Sequence, residues 1–346
     1  MKNLRLSIIG FGTVGQGLAE LLATKRALLK QDYELTVTLV SVANARHGFI
    51  YRDEGLDIPT LLELAATGRP LSEHAGARRW ANALEGLQAT GGDVLAEVTG
   101  TNLRDAEPGI SHIRAGLAQG MHVITANKGP GALAAAELFS LAQQHSVQLR
   151  MEATVMAGTP VLSTIREGLA GANVTAIRGI LNGTTNYILT AMATGRNYAE
   201  VLAEAQAQGY AEADPTADVE GYDAVAKTLI LAALVFGRPL EPGQVFRQGI
   251  TTITREQVQQ ANDNGKRIKL IASLWRHRET YTLEARVEPT GLALGDPLAR
   301  VEGVMNAITI HTDSLPEVTV IGPGAGRLQT GQGLLADLIA IAKTKQ

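Results

Sequence analysis

The chain has 346 residues, 45% of them hydrophobic and 19% charged, with a formal net charge of −3; it is long enough for two ordinary domains and apolar enough to bury a core in each. The charge is small and mixed in sign, so no basic stripe marks a nucleic-acid partner, and the complete lack of cysteine excludes disulfides, thiolate metal sites and thiol nucleophiles. The seven histidines are scattered without an H-x-x-x-H pair, which argues against a zinc site. The longest apolar run, Leu229 to Phe236, is far short of the ~20 residues of a membrane helix, and Met1 to Arg5 carry no signal-peptide pattern, so the cytoplasm is the expected location.

Leu4 to Ile9 predicts a short buried strand, followed by a glycine turn from Gly10 to Gly15 and a helix with Val14, Leu18, Leu21, Leu22, Leu28 and Leu29 at helical spacing. Thr36 to Val42 is rich in β-branched residues and predicts a second strand; Val94 to Val98 and His122 to Thr125 predict two more, the latter after a helix from about Ile110 to Ala118. Strands alternating with helices predict a parallel, doubly wound α/β sheet over residues 1–150. The pattern then changes. Thr175 to Leu181, Tyr281 to Glu288, Ala307 to His311 and Val318 to Ile321 read as strands around a mainly helical stretch from Tyr187 to Trp275. Residues 151–330 are therefore expected to form an α+β domain with a mixed sheet, and a last helix from about 331 to 346 to return to the first domain.

Gly10-Phe11-Gly12-Thr13-Val14-Gly15 matches G-x-G-x-x-G between a predicted strand and a predicted helix. In that context the first glycine permits the tight turn, the second lets a pyrophosphate approach the backbone, and the third allows close helix–strand packing, with the helix N-terminus facing the phosphates. The alternative is a bare βα turn. NAD-specific sites carry Asp or Glu about 20 residues beyond the glycines. Here Ser41 to His47 contains no acid, and Arg46 is a candidate to neutralise a 2′-phosphate, the alternative being a solvated loop charge.

Asp223 and Lys227 lie four residues apart, on one face of a helix predicted from about Tyr222 to Phe236. They would make an ordinary surface ion pair, except that Ala224, Val225, Ala226 and Leu229 to Val235 leave the helix apolar all round and hence buried. Burying two ions costs several kcal/mol each unless they are paired, so the pair points to function more than to stability. Asp218 and Glu220 precede the same helix, where acids suit its N-terminal dipole.

The stretch around this pair, residues 205–227, contains Asp214-Pro215-x-x-Asp218-Val219-x-Gly221-x-Asp223-x-x-x-Lys227 and resembles the signature of the homoserine dehydrogenases. Three further segments resemble the same family in the same order: Thr125-Ala126-Asn127-Lys128, Glu152 to Pro160, and Gly179 to Leu189. The resemblance runs from the glycine loop to Gly322-Pro323-Gly324-Ala325-Gly326, with residues 44–90 contributing little.

The resemblance implies reversible reduction of aspartate semialdehyde to homoserine, in threonine and methionine biosynthesis, with NADP(H) or NAD(H). Reduction of an aldehyde needs a hydride on carbon and a proton on the developing alkoxide, and the reverse needs a base; a lysine serves both directions. By resemblance Lys227 and Lys128 are the candidates for that proton, with Asp223 holding Lys227 and the substrate hydroxyl. Glu212 with Asp218 would take the substrate ammonium, and Gly183, Thr184 and Thr185, opening a helix, its carboxylate. Gly10 to Gly15, Arg46, Thr99 and Lys128 would hold the cofactor. Lys128, at the end of a strand, also sits where ligands bind in parallel sheets, although Asn-Lys there also fits an ordinary loop. Glu152, Val155, Ala157 and Thr159 resemble the family's monovalent-cation loop, whose oxygen donors suit sodium; a strand-ending turn before a helix fits the same residues. The family also implies a homodimer through the second domain's sheet. The chain is further expected to carry neither an aspartokinase region nor a C-terminal regulatory domain.

Three other functions compete with this one. Aspartate-semialdehyde dehydrogenase chemistry needs a thioester on cysteine, which this chain cannot form. The 205–227 segment argues against a different amino-acid oxidoreductase of the same plan. A catalytically silent nicotinamide-nucleotide sensor is opposed by Lys128, Glu212, Asp223 and Lys227 occurring together.

Overall fold

The computed structural model describes residues 1–277, 279–280 and 282–344. The chain divides into two units, Met1–Gly158 with Gly326–Gln346, and Thr159–Ala325. The first begins with β1 (Lys2–Ile9), α1 (Thr13–Thr24), α2 (Arg26–Tyr33), β2 (Leu35–Asn44), β3 (Gly48–Tyr51), α3 (Ile58–Ala66), β4 (Arg78–Trp80) and α4 (Ala83–Ala89). It continues through β5 (Val94–Glu97), α5 (Gly109–Ala118), β6 (His122–Thr125), α6 (Lys128–Leu133), α7 (Ala135–Gln144), β7 (Leu149–Arg150) and α8 (Ala153–Met156).

The seven strands lie in the order β4-β3-β2-β1-β5-β6-β7. The run from β2 through β1, β5 and β6 to β7 is parallel, and central β1 is buried from Leu6 to Ile9, as a strand covered on both faces requires. The sheet is not parallel throughout, as the alternation of elements suggested. β3 and β4 extend it antiparallel beyond β2, because the chain turns back at Ala45–His47, where Asn44 Oδ1 accepts from the amides of Arg46 (3.1 Å) and His47 (2.7 Å). The single helix expected after the glycine turn is two. It breaks at Lys25, whose N–H still bonds the Leu21 carbonyl, and the change of direction leaves Leu28 41% exposed while Leu29 stays in the core.

The second unit holds β8 (Val174–Ile180), α9 (Gly183–Met192), α10 (Tyr198–Ala207), α11 (Thr216–Val219), α12 (Tyr222–Phe236), β9 (Phe246–Arg247) and α13 (Arg255–Asp263). It ends with β10 (Lys266–Arg276), β11 (Leu283–Ala293), β12 (Met305–Thr312) and β13 (Val318–Pro323). They form a mixed six-stranded sheet, β13-β12-β8-β10-β11-β9, antiparallel except where β9 runs beside β11. The helical stretch expected up to Trp275 stops at Asp263. Residues Lys269 to Ala272 are a continuous buried run, whose period does not separate strand from helix; pairing with β8 and β11 makes it a strand. Tyr281, where another strand was expected to begin, lies outside the described residues.

β10 also buries Lys269, 2% exposed. Its ammonium donates to Asn186 Oδ1 (2.9 Å), Thr190 Oγ1 (3.2 Å) and the Val301 carbonyl (2.6 Å), and burial lowers its pKa to about 8.

The chain returns to the first unit as α14 (Arg327–Lys343); the last two residues of the helix expected there, 345 and 346, lie outside those described. Leu334, Leu335 and Leu338 share the core of Leu18 and Leu22 from α1, while Arg327 bonds Gln16 Oε1 (3.1 Å) and pairs with Glu20 (3.2 Å) on the rim. Among the described residues no helix is long and apolar enough to cross a membrane.

Candidate active site

In the first unit the loop after β1 is pinned by the amides of Gly10 and Phe11, both 2.9 Å from the Ala43 carbonyl, and by Gly12 N–H to Gly10 O at 2.8 Å. Gly10 has φ +102°, and a Cβ there would lie 2.4 Å from the Val98 carbonyl oxygen, so no other residue fits. A Cβ on Gly12, by contrast, would meet no atom within 4 Å: the backbone there faces open space. No side chain caps α1; the amides of its first turn, from Thr13 and Val14 to Gly15, are left for an external acceptor. A diphosphate has the shape and charge to supply it, and the loop fits a dinucleotide. Phe11 contributes backbone only, since its side chain is in the core. Arg46 is exposed on the turn between β2 and β3.

Thr99 follows β5, half-buried, with its N–H on Glu97 Oε1 at 3.2 Å. Lys128 opens α6, also half-buried. The Asn127 side chain caps that helix by accepting from Gly129 N–H at 3.1 Å.

In the second unit, Lys227 and Asp223 form a buried pair on the first turns of α12: Nζ lies 2.9 Å from Asp223 Oδ2, with the side chains 8% and 15% exposed. The same ammonium donates to the Leu181 carbonyl at the end of β8. Asn182, N-cap of α9, ties these groups together. Its Oδ1 accepts from Thr185 N–H (2.9 Å), and its amide nitrogen donates to Asp218 Oδ1 (2.7 Å) and Asp223 Oδ2 (3.1 Å). Thr184 Oγ1 lies 2.7 Å from the Tyr210 carbonyl and 3.0 Å from Asp218 Oδ2, its one proton serving either acceptor. Asp218 does not simply precede α12 but sits in the separate turn α11, divided from it by Gly221 at φ +82°. Burial raises its pKa, the Asn182 bond opposes the rise, and the neighbouring Asp223 carboxylate adds to it.

Lys227, Asp223, Asp218, Thr184 and, through its amide, Thr185 thus share one network, with Gly183 packed against the Val304 carbonyl. Glu212 stands apart. It is exposed on the turn after α10, where its carbonyl accepts from Gln206 Nε2 at 3.0 Å. The arrangement holds a lysine, two carboxylates of unlike environment, and helix-opening donors: groups able to move a proton and to bind an amino acid by both ends.

The family model described as "Homoserine dehydrogenase" matches residues 160–339, and "Homoserine dehydrogenase, NAD binding domain" matches residues 10–152. The chain is 39% identical, over 99% of its length and 97% of the relative's, to the NAD(+)-dependent homoserine dehydrogenase of Pseudomonas canavaninivorans.

The chain belongs to the homoserine dehydrogenase family.

A homoserine dehydrogenase of Methanocaldococcus jannaschii is 38% identical over 96% of this chain and 97% of its own. Among solved structures, a hyperthermophilic archaeal homoserine dehydrogenase in complex with NADPH superposes with a TM-score of 0.84 at 31% identity, covering 98% of both chains. That of Thiobacillus denitrificans gives 0.84 at 32% over 99% of this chain and 74% of its own. The α/β fold, with its nucleotide-binding unit and a second unit of mixed sheet, is that of homoserine dehydrogenases.

Of the cation-loop residues, Glu152, Val155 and Ala157 are buried in the first unit, and Ala157 is held at φ +51°, a strained conformation for a non-glycine residue. Thr159 opens the second unit, its hydroxyl on the Pro323 carbonyl at 3.0 Å. Among the described residues no cluster of three or more histidines and acids is placed to hold a metal. Two residues are marked weakly or not at all in the sequence: Asn182 in the second unit, whose position before Gly-Thr-Thr is itself an N-cap signal, and Glu97 beside Thr99 in the first unit, for which no local signal exists.

Proposed function

We propose that the protein is a homoserine dehydrogenase that reversibly reduces L-aspartate 4-semialdehyde to L-homoserine, serving threonine and methionine biosynthesis, with NADP(H) preferred to NAD(H). The observation that carries this is the buried Lys227–Asp223 pair, tied through Asn182 to Asp218. A core element gains nothing from two buried ions that well-packed apolar residues would not supply.

The nicotinamide, when bound, supplies the hydride in reduction and takes it back in oxidation. The remaining tasks belong to the chain. Gly10 to Gly15 holds the diphosphate on the first turn of α1, Thr99 and Lys128 line the strand ends beyond it, and Arg46 meets the 2′-phosphate. In the second unit Lys227 gives a proton to the carbonyl oxygen as the carbon is reduced and removes it from the hydroxyl in the reverse direction, while Asp223 fixes the ammonium; Lys128 is the second candidate for that proton. Asp218 and Glu212 take the substrate ammonium, and Gly183, Thr184 and Thr185 the carboxylate. Glu152, Val155, Ala157 and Thr159 offer oxygen donors only, the chemistry a sodium ion takes. The sheet of the second unit pairs with its copy in a homodimer. Support for NADP(H) is the lack of an acid after β2 with Arg46 on the following turn; named relatives include both an NAD(+)-dependent enzyme and an NADPH complex.

The test is the change in nicotinamide absorbance when purified protein meets homoserine with each oxidised cofactor, or the semialdehyde with each reduced one. No change in any combination would leave a nucleotide-binding protein without this chemistry. Sedimentation as a monomer at micromolar concentration would remove the dimer.

A further inference from the structure

Glu97, the last residue of β5, is wholly buried, 0% exposed, yet carries a carboxylate. Such a group is costly unless its lone pairs are met, and here they are met by the two loops that follow β5 and β6, with a histidine of α5 close by. Oε1 accepts from Thr99 N–H at 3.2 Å and from the Thr99 hydroxyl, with His112 Nδ1 of α5 at 3.5 Å. Oε2 accepts from Asn127 Nδ2 at 3.0 Å. The same Asn127 nitrogen reaches Thr99 Oγ1 at 3.2 Å, and its Oδ1 caps α6 at Gly129 N–H. α5 is shaped around the contact: a Cβ on Gly109 would lie 2.6 Å from Asn127 Nδ2 and 3.3 Å from Glu97 Oε2. The Glu97 carbonyl takes the Thr125 hydroxyl at 2.7 Å, and Thr125 Oγ1 accepts the Asn127 N–H at 3.0 Å, so backbone and side chain join the same two strand ends.

We propose that Glu97 is a positioning residue: it locks the ends of β5 and β6 together through Asn127 and thereby sets Lys128 and Thr99 for the cofactor and the reaction. This rests on the roles proposed above for Lys128 and Thr99. Asn127 must present its oxygen to Gly129 to cap α6, which leaves only its nitrogen for Glu97. An acceptor at position 97 therefore decides which way the asparagine faces, and with it where the first residue of α6 stands.

Donor and acceptor across the 3.0 Å contact can be exchanged. Glu97→Gln turns an amide nitrogen toward either Asn127 Nδ2 or Thr99 N–H, and flipping Asn127 to accommodate it would lose the Gly129 cap. Glu97→Gln with Asn127→Asp restores the contact between the two side chains and the Gly129 cap with the charge conserved, giving up only the 3.2 Å contact to Thr99 Oγ1. In cofactor-free protein, hydrogen exchange at Gly129 is expected to speed up in Glu97→Gln and to return to the wild-type rate in the swap. In parallel, turnover on homoserine should fall about tenfold or more in the single variant, as slight misplacement of reacting groups does, with a raised Kd for NADPH. Both should return to within about threefold of wild type in the swap, the single effects being strongly non-additive. If Glu97→Gln does not fold, Asn127→Asp alone carries the test, since it sets carboxylate against carboxylate. A single variant with wild-type exchange and turnover, or a swap as impaired as the single variants, overturns the proposal. A wild-type protein inactive on homoserine would remove the reaction proposed above, while exchange at Gly129 and NADPH affinity would still decide the role of Glu97.

Discussion

Replacing Lys227 by alanine separates chemistry from stability, because the structure sets a magnitude for each. The substitution removes an ammonium 2.9 Å from Asp223 Oδ2 and its bond to the Leu181 carbonyl, both in a largely dry setting. Removing one partner of a buried pair costs about 3–5 kcal/mol. The lower end applies, since Asn182 Nδ2 remains 3.1 Å from Asp223 and still satisfies part of its charge. At about 2–4 °C per kcal/mol for a unit of this size, the melting temperature should fall by roughly 6–12 °C, leaving a folded protein at room temperature. If Lys227 exchanges the proton with the substrate oxygen, turnover falls a further 10²–10⁴-fold, about 2.7–5.4 kcal/mol of transition-state stabilisation. Initial rates of NADPH oxidation with aspartate semialdehyde, on protein shown folded by circular dichroism, measure this, and fluorescence titration should show NADPH affinity unchanged. Asp223→Asn, which keeps shape and loses charge, should impair turnover with a smaller loss of stability. A folded Lys227→Ala protein turning over within about threefold of wild type would refute the assignment, since general acid–base catalysis is worth far more than that.

Arg46→Ala should weaken NADPH binding by about 1–3 kcal/mol, the worth of a charged hydrogen bond, and leave NADH binding nearly unchanged; equal losses by calorimetry would show that Arg46 does not read the 2′-phosphate. Glu212→Ala should raise KM for homoserine with kcat preserved, as loss of uniform binding does; a fall in kcat at constant KM would contradict that role. Burial lowers Lys269 to about 8 from 10.5, so the unfolded chain binds its proton more tightly than the folded one. Its contribution to stability therefore rises as pH goes from about 8 to about 10.5, by about 3 kcal/mol in total. The melting temperature of wild type relative to that of Lys269→Met should rise across that range, and a constant difference would show that the lysine does not titrate there.

Both the nucleotide loop and α12 were legible because their signals are local. A G-x-G-x-x-G motif between strand and helix needs only neighbouring residues to be understood, and the unbroken apolar surface of α12 announces that Asp223 and Lys227 are buried. The strands β3 and β4 were not legible. They are short, and their place in the sheet depends on a turn at Ala45–His47 that carries no hairpin dipeptide. Lys266 to Arg276 is illegible for a different reason. A buried run has no amphipathic period, and only partners nearly 100 residues earlier in β8 and just after it in β11 make it a strand.

By itself the amino-acid sequence determined the family, the two kinds of domain, the glycine loop between strand and helix and the identity of the buried ion pair, all properties of residues close in the chain or of their order along it. Tertiary structure alone decided which groups meet. Asn182 joins Asp218 and Asp223 across 36 and 41 residues, Glu97 meets Asn127 across 30, and Glu212, from the same signature as Lys227, stays exposed. Such contacts depend on where each backbone segment comes to rest. A hydrogen bond of 3 Å leaves no mark on residue types tens of positions apart, and so it is read only when the chain is folded.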